Sequence, residues 1–428
     1  MGVTSYPYHE SQLKPDREGD SAATPEWESE TSFLHFEDRE ALVLSGGGAR
    51  GAYQVGVLKA VSEWLPADAS CPFDVLVGTS AGALNVAALA ARAGSFREAV
   101  RALESVWAHF SVDQVVDTGT GAMLQAGLHW VTSLITAGYL VPPPRSLLDN
   151  APLRELLRTQ IPLGEIPKAI DSGVIQAVAV ATTSYTTGQA VTFFDGIPQM
   201  QGWDRVRRTG VRRTLDQDVL LASASIPFIF PATELDGQFF GDGAMRQLAP
   251  LSPAVHLGAN RVLVIGTKGE GAAVPMSNVP ASPPAPGHLL GFVLDSLFTD
   301  GLSIDLERLK QMNALIDLGT PGQEDGRRPI EACVVQPSED PSVIARRHIN
   351  SLPRSLRTLL RTMGALEARG GLLVSYLLFE KSYTTELMAL GYEDAKRDRD
   401  EIEKYLQPWF RSRAGFPVRA AQRIRREG

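Results

Sequence analysis

The chain has 428 residues, of which 44% are hydrophobic, 21% charged and 7% aromatic. That balance excludes a wholly disordered or fibrous protein, and the formal charge of −8 leaves no dominant basic face for a nucleic-acid footprint. Two distant cysteines, Cys71 and Cys333, exclude a disulfide framework and a cysteine-rich metal site, and length alone suggests about two to three domain-sized units.

Residues 1–38, rich in Ser, Glu and Asp and carrying Pro7, Pro15 and Pro25, read as a disordered polar arm. The arm has no apolar stretch of the kind a Sec signal needs, and Tyr6 stands where a myristoylation signal after Gly2 requires Ser or Thr. From Glu40 the pattern changes. Ala41 to Leu44 form a short apolar run ending in glycines, which predicts a buried strand, and Val57, Leu58, Val61 and Leu65 recur at helical spacing behind it. Phe73 to Val77, followed by an Ala-rich segment from Ala81 to about Ala93, repeats the strand-turn-helix unit. Two such units in succession indicate an α/β fold with helices packed on a central sheet.

Residues 121–141 are apolar over nearly a bilayer's length, but Gln125, His129, Thr132, Ser133 and Thr136 and the prolines 142–144 argue against a transmembrane span. The segment reads as a buried or lid helix, or as an amphipathic element lying on lipid. Further on, the runs 174–181 and 190–194 flank Tyr185-Thr186-Thr187-Gly188 as a hairpin. Arg205, Arg207, Arg208, Arg212 and Arg213 form a dense basic run with two readings, a solvated helix face or a landing patch for phosphate head groups. Asp236-Gly237 predicts another tight turn, and 261–266 another strand. The organisation expected is an arm at 1–38, an α/β domain at 39–270, a Pro-rich linker at 271–287 and a mainly helical extension at 288–428, in which Leu302, Leu306 and Leu309 share one face. The arginine-rich end from Arg411 reads as a solvated tail or a patch for anionic lipid.

Chemistry concentrates at three places. Gly78-Thr79-Ser80-Ala81-Gly82 lies between an apolar strand and a helix, where a nucleophile elbow would force the serine into strained backbone angles and expose its hydroxyl near a helix N-terminus. Upstream, Ser45-Gly46-Gly47-Gly48-Ala49-Arg50-Gly51 again joins strand to helix, and its glycines would let backbone N–H groups approach an oxyanion. Arg50 would either add charge there or brace the loop by bonding to carbonyls. Gly46, Gly48 and Gly51 also fit a dinucleotide fingerprint, but the next strand ends in Gly78-Thr79-Ser80 rather than in an acid, and no Gly-Lys-Ser/Thr follows to make a P-loop. Gly241-Asp242-Gly243 places an aspartate in a bend at a strand end, which by itself is an ordinary turn signal. A rival triad of Ser80, Asp242 and His256 has the chain order of an α/β-hydrolase, although His256 lies in a predicted short helix only fourteen residues beyond the aspartate.

Taken in order, the glycine loop at 45–51, the motif at 78–82, and Ser225-Ile226-Pro227-Phe228-Ile229-Phe230-Pro231 leading to Asp242-Gly243-Ala244 resemble the motif set of patatin-like phospholipases. The resemblance covers roughly residues 40–267 and is weak beyond. It implies a patatin-like central sheet sandwiched between helices, a catalytic dyad of Ser80 (nucleophile) and Asp242 (general base/acid), and an oxyanion hole from Gly46, Gly47 and Gly48 with Arg50 in support. The implied activity is hydrolysis of acyl esters of phospholipids or lysophospholipids without cofactor or metal, at a membrane surface met peripherally. The lack of a Sec signal fits a cytoplasmic protein at the inner membrane face and equally one exported by a route that leaves no readable motif, and the acidic balance argues against nucleic acid as a partner. A soluble serine esterase or thioesterase and a lipid-binding scaffold with little turnover stand as alternatives.

Overall fold

A computed structural model describes residues 39–117, 145–269, 283–317, 329–367 and 371–413, with scattered positions between 118 and 144. The expected arm, most of the Pro-rich linker and the end of the basic tail lie outside the described residues, as does most of 121–141. Among the described residues ten strands build one sheet: β1 (Glu40–Leu44), β2 (Val75–Thr79), β3 (Ala177–Ser184), β4 (Ala190–Gly196), β5 (Trp203–Arg205), β6 (Arg208–Arg212), β7 (Thr233–Leu235), β8 (Gln238–Asp242), β9 (Arg261–Ile265) and β10 (Glu331–Val335). Their order is β10-β9-β1-β2-β3-β4-β6-β5, with β8 joined to β3 and β7 to β8. The central pairs from β10 to β3 are parallel, while β3 pairs antiparallel with both β4 and β8.

Side chains alternate across a strand, so each face of this sheet needs its own cover. Leu42, Leu44, Leu76, Val178 and Val180 point into one core. It is covered by α1 (Ala52–Trp64), α2 (Ala81–Ala90), α3 (Phe96–Ala108), α4 (Ala151–Gln160), α5 (Glu165–Asp171) and α6 (Gln217–Ala224). Ala41, Val43, Val75, Val77, Ala177 and Ala179 face the other core, against α7 (Ser252–His256). The mixed sheet between helices is the architecture that the sequence led us to expect.

The C-terminal part is woven into the same unit, which spans Asp38–Gly428. It holds α8 (Pro286–Asp317), α9 (Pro341–Arg347), α10 (Arg354–Thr362), α11 (Gly371–Leu377), α12 (Lys381–Arg397) and α13 (Arg399–Arg413), and it supplies β10 to the sheet edge. Helices α1 and α12 touch backbone to backbone: a Cβ added at Gly56 would come within 2.0 Å of the Met388 carbonyl oxygen, and one at Gly391 within 2.2 Å of that of Tyr53. Helix α8 crosses the carboxyl-terminal edge of the sheet, with Leu294 and Phe298 in the first core and Leu302, Leu306 and Leu309 in the second.

Two local expectations change. The basic run at 205–213 is not a helix face but a β ribbon, β5 and β6 joined through Arg207 at φ 62°, because Trp203 and Gly210 turn inward while β6 pairs with β4. The mainly helical extension includes the short edge strand β10, whose weak local pattern is fixed by pairing with β9 rather than by its own composition. No helix among the described residues is long and apolar enough to cross a membrane.

Candidate active site

Ser80 is the single residue between β2 and α2, with φ 55° and ψ −126°, in a region that non-glycine residues seldom enter. Its flanking glycines are required by space. A Cβ at Gly78 would come within 2.4 Å of the Gly82 carbonyl oxygen, and one at Gly82 within 2.3 Å of the Leu44 carbonyl oxygen. The elbow therefore packs against the end of β1, and Ser80 is almost wholly buried at the N-terminus of α2.

Strand register brings Asp242 to it. β2 runs beside β3 until Thr79 meets Ala181; one residue further along β3, Thr182 faces Asp242 at the end of β8. β4 occupies the opposite edge of β3, so β2 and β8 meet end to end along one side, each delivering its last residues to the same place. Ser223 ties the junction, accepting from the Ser80 N–H at 2.9 Å and donating to the Ala181 carbonyl at 2.7 Å. Asp242 is fully buried; its N–H donates to the Ser225 carbonyl (3.0 Å), its carbonyl accepts from Thr183 Oγ1 (2.8 Å) and its Oδ1 accepts from the Ala244 N–H (2.9 Å). Oδ2 has no formed hydrogen bond among the described residues. Burial pushes this carboxyl up to about 7, against the opposing pull of the nearby Ser80 hydroxyl and the Ala244 N–H.

The glycine loop closes over the serine. A Cβ at Gly46 would lie 3.2 Å from that of Ser80, and Gly48, at φ 53°, sits so close to the Tyr376 carbonyl oxygen that a Cβ would come within 2.3 Å of it. The N–H groups of Gly46, Gly47 and Gly48 donate no hydrogen bond among the described residues, whereas the Gly46 carbonyl is fixed by Thr267 Oγ1 at 2.7 Å. Arg50 turns away from the serine, and it does not bond to carbonyls as the bracing reading had it. Its guanidinium bonds Asp295 Oδ1 (3.1 Å) and Ser375 Oγ (2.9 Å) and stacks 3.9 Å over the Tyr376 ring, so α8 and α11 hold the loop through it. His256 is not brought to Ser80. It stacks on Trp203 and bonds the Ser252 carbonyl in the second core, across the sheet from α2.

Sequence reasoning missed the residues that frame the site from a distance. Phe298 of α8 packs its ring on Gly46, and Gln247 accepts from Thr79 Oγ1 at 2.6 Å. Ser223 carried one legible signal, a polar residue in the otherwise apolar stretch 219–224 of α6. From Ser80 a cavity extends between α2, α3 and α4. Asn85 in its wall is saturated by Gly51, Gln54 and Trp107, so the lining is almost entirely apolar.

The model of the family described as patatin-like phospholipase matches residues 42–255, half of the chain and all three motifs. The chain belongs to this family. Patatin-like phospholipases are lipid acyl hydrolases. Among relatives, the uncharacterized protein YjjU of Escherichia coli (strain K12) is 28% identical over 234 residues, 54% of this chain and 52% of YjjU. Lysophospholipase nte1 of Aspergillus terreus (strain NIH 2624 / FGSC A1156) is 57% identical over 44 residues, 10% of this chain and 3% of nte1. The chain thus matches about half the length of the first relative and a small part of the second. Among solved structures, human GIVD cytosolic phospholipase A2 in complex with methyl gamma-linolenyl fluorophosphonate aligns at a TM-score of 0.40 and 12% identity, over 87% of this chain and 59% of that one. VipD from Legionella pneumophila aligns at 0.33 and 13%, over 82% and 67%.

Proposed function

We propose that the chain hydrolyses acyl esters of phospholipids or lysophospholipids, with Ser80 as nucleophile, Asp242 as general base and acid, and the Gly46–Gly48 N–H groups as oxyanion donors. The register that sets the strained Ser80 beside a buried carboxyl with one unpartnered oxygen carries this reading. Ser80 Oγ attacks the ester carbonyl carbon as its proton passes to ionised Asp242. The oxyanion takes up the free N–H groups of the glycine loop, each such donor contributing about 3 kcal/mol to the transition state. Collapse breaks the bond to the alcohol, which leaves with the proton from Asp242. Water then attacks the acyl-serine, giving its proton to Asp242, and the fatty acid departs as Ser80 is reprotonated.

Contact with a membrane belongs to the same proposal. The β5–β6 turn lies beside the start of β4, at the end of β3 where Asp242 sits. At that turn Arg205 and Arg207 are exposed and Val206 is 89% exposed, whereas Arg212 is spent on the Gly196 and Ile197 carbonyls and Arg213 on Asp216 and Asp236. An apolar tip between cations suits an anionic lipid surface. Acyl release from phospholipid vesicles and from a short-chain soluble ester tests the reading: wild type releases acid from vesicles, Ser80→Ala and Asp242→Asn do not. Equal activity of Ser80→Ala would overturn it, and turnover of the soluble ester alone would make the protein a plain esterase.

A further inference from the structure

The cavity leading from Ser80 has a direction. Ala81, Leu84, Ala88 and Arg92 line it, and their spacing is that of one face of α2 continued past its end, so the groove runs along the helix. At about 1.5 Å per residue, the eleven steps from Ala81 to Arg92 cover roughly 16 Å. The opposing walls come from Ala102 and Val106 of α3 and from Leu153 and Leu157 of α4. Along that length the lining, apart from the saturated Asn85, is aliphatic or aromatic, with small alanines leaving the lumen open where α2 and α3 face each other. At the far end the character changes. Arg92 is only half-buried, and its guanidinium donates to the Gln160 carbonyl at 2.9 Å, linking the ends of α2 and α4 across the groove.

We infer that the Arg92–Gln160 contact at the far end of this groove sets the length of the acyl chain accepted along α2 from Ser80. The inference rests on the acyl-hydrolase reading for the identity of its occupant. A groove of that length lined by aliphatic and aromatic side chains, with a nucleophile at one end, suits an alkyl chain in length and polarity, and burying each further methylene is favourable until the chain reaches the guanidinium. A longer chain must either displace the Arg92 bond or leave its terminus against a cation.

The test is a homologous series of p-nitrophenyl esters, from butyryl to stearoyl, with the wild type, Ala88→Leu, Ala102→Phe and Arg92→Ala. One methylene in such a pocket changes kcat/KM by about tenfold or more. The palmitoyl-to-octanoyl ratio of kcat/KM is therefore expected to fall by at least about tenfold in Ala88→Leu. Ala102→Phe, at a partly buried position of the opposing wall, should do the same, and Arg92→Ala should move the optimum to longer chains. If the wild type hydrolyses the esters and none of the three variants alters the profile, the subsite is wrong while the hydrolase reading stands. If no ester is hydrolysed, the hydrolase reading fails, and binding of the fluorescent fatty acid cis-parinaric acid decides the groove. Binding that weakens at least about tenfold in Ala88→Leu keeps it, and absence of binding to the wild type, or equal binding by both, overturns it.

Discussion

Asp242 can accept a proton from Ser80 only when it is itself ionised, and burial has moved that ionisation up to about 7. The kcat/KM of the free enzyme is thus expected to rise with pH through an acid limb centred near 7, and a limb near 4 would show that the carboxyl is solvated in solution. The same shift has a stability consequence. Because the folded state holds this proton more tightly than the unfolded chain, the favourable contribution is complete below the ordinary carboxylate range and is lost as pH rises through about 7. The interval corresponds to about 4 kcal/mol for a fully buried group. Asp242→Asn, which keeps the Oδ1 acceptor for the Ala244 N–H, should abolish turnover yet raise the melting temperature at pH 8 relative to wild type, with much less gain at pH 5. A variant less stable than wild type at pH 8 would contradict the buried-charge account.

At the scale of elements, the elbow and the glycine loop were legible because glycines at fixed offsets between an apolar strand and a helix are local signals. Gly78, Gly82 and Gly48 are each needed where a Cβ would strike a backbone carbonyl. Gly82→Ala should cost at least about 1–3 kcal/mol in chemical denaturation, since the Leu44 carbonyl it strikes belongs to a central strand and cannot turn aside. What was not legible depends on pairing between distant segments. Asp242 in an Asp-Gly turn says nothing of Ser80 until β8 takes the place of β2 beside β3, and the arginines at 205–213 became a ribbon through β4. Arg50 was visible as a loop arginine, but its partners Asp295 and Ser375 lie some 245 and 325 residues away in sequence. Removing it leaves Asp295 without its cation and Tyr376 without its stacked plane. Arg50→Met is accordingly expected to lower kcat more than it raises KM, and Arg50→Lys should fail to restore it because an ammonium cannot reproduce the planar fork. Full rescue by lysine would reduce the role to charge alone.

Across the whole molecule, the C-terminal third does not stand apart from the site. It supplies β10, the glycine-to-backbone contact of α12 on α1, and the α8 crossing that sets Phe298 on Gly46. A chain ending at residue 269 should therefore lose cooperative unfolding rather than behave as a smaller enzyme, and a sharp melting transition in that fragment would refute the claim. The central claim is that Ser80 is activated by Asp242 and by no histidine. The most direct measurement is intact-mass detection of covalent labelling by a long-chain alkyl fluorophosphonate at pH 8. One adduct mapping to Ser80 should form in wild type and in His256→Ala, and none should form in Ser80→Ala, with labelling at least about a hundredfold slower in Asp242→Asn. Loss of labelling in a folded His256→Ala, or undiminished labelling in Asp242→Asn, would contradict it.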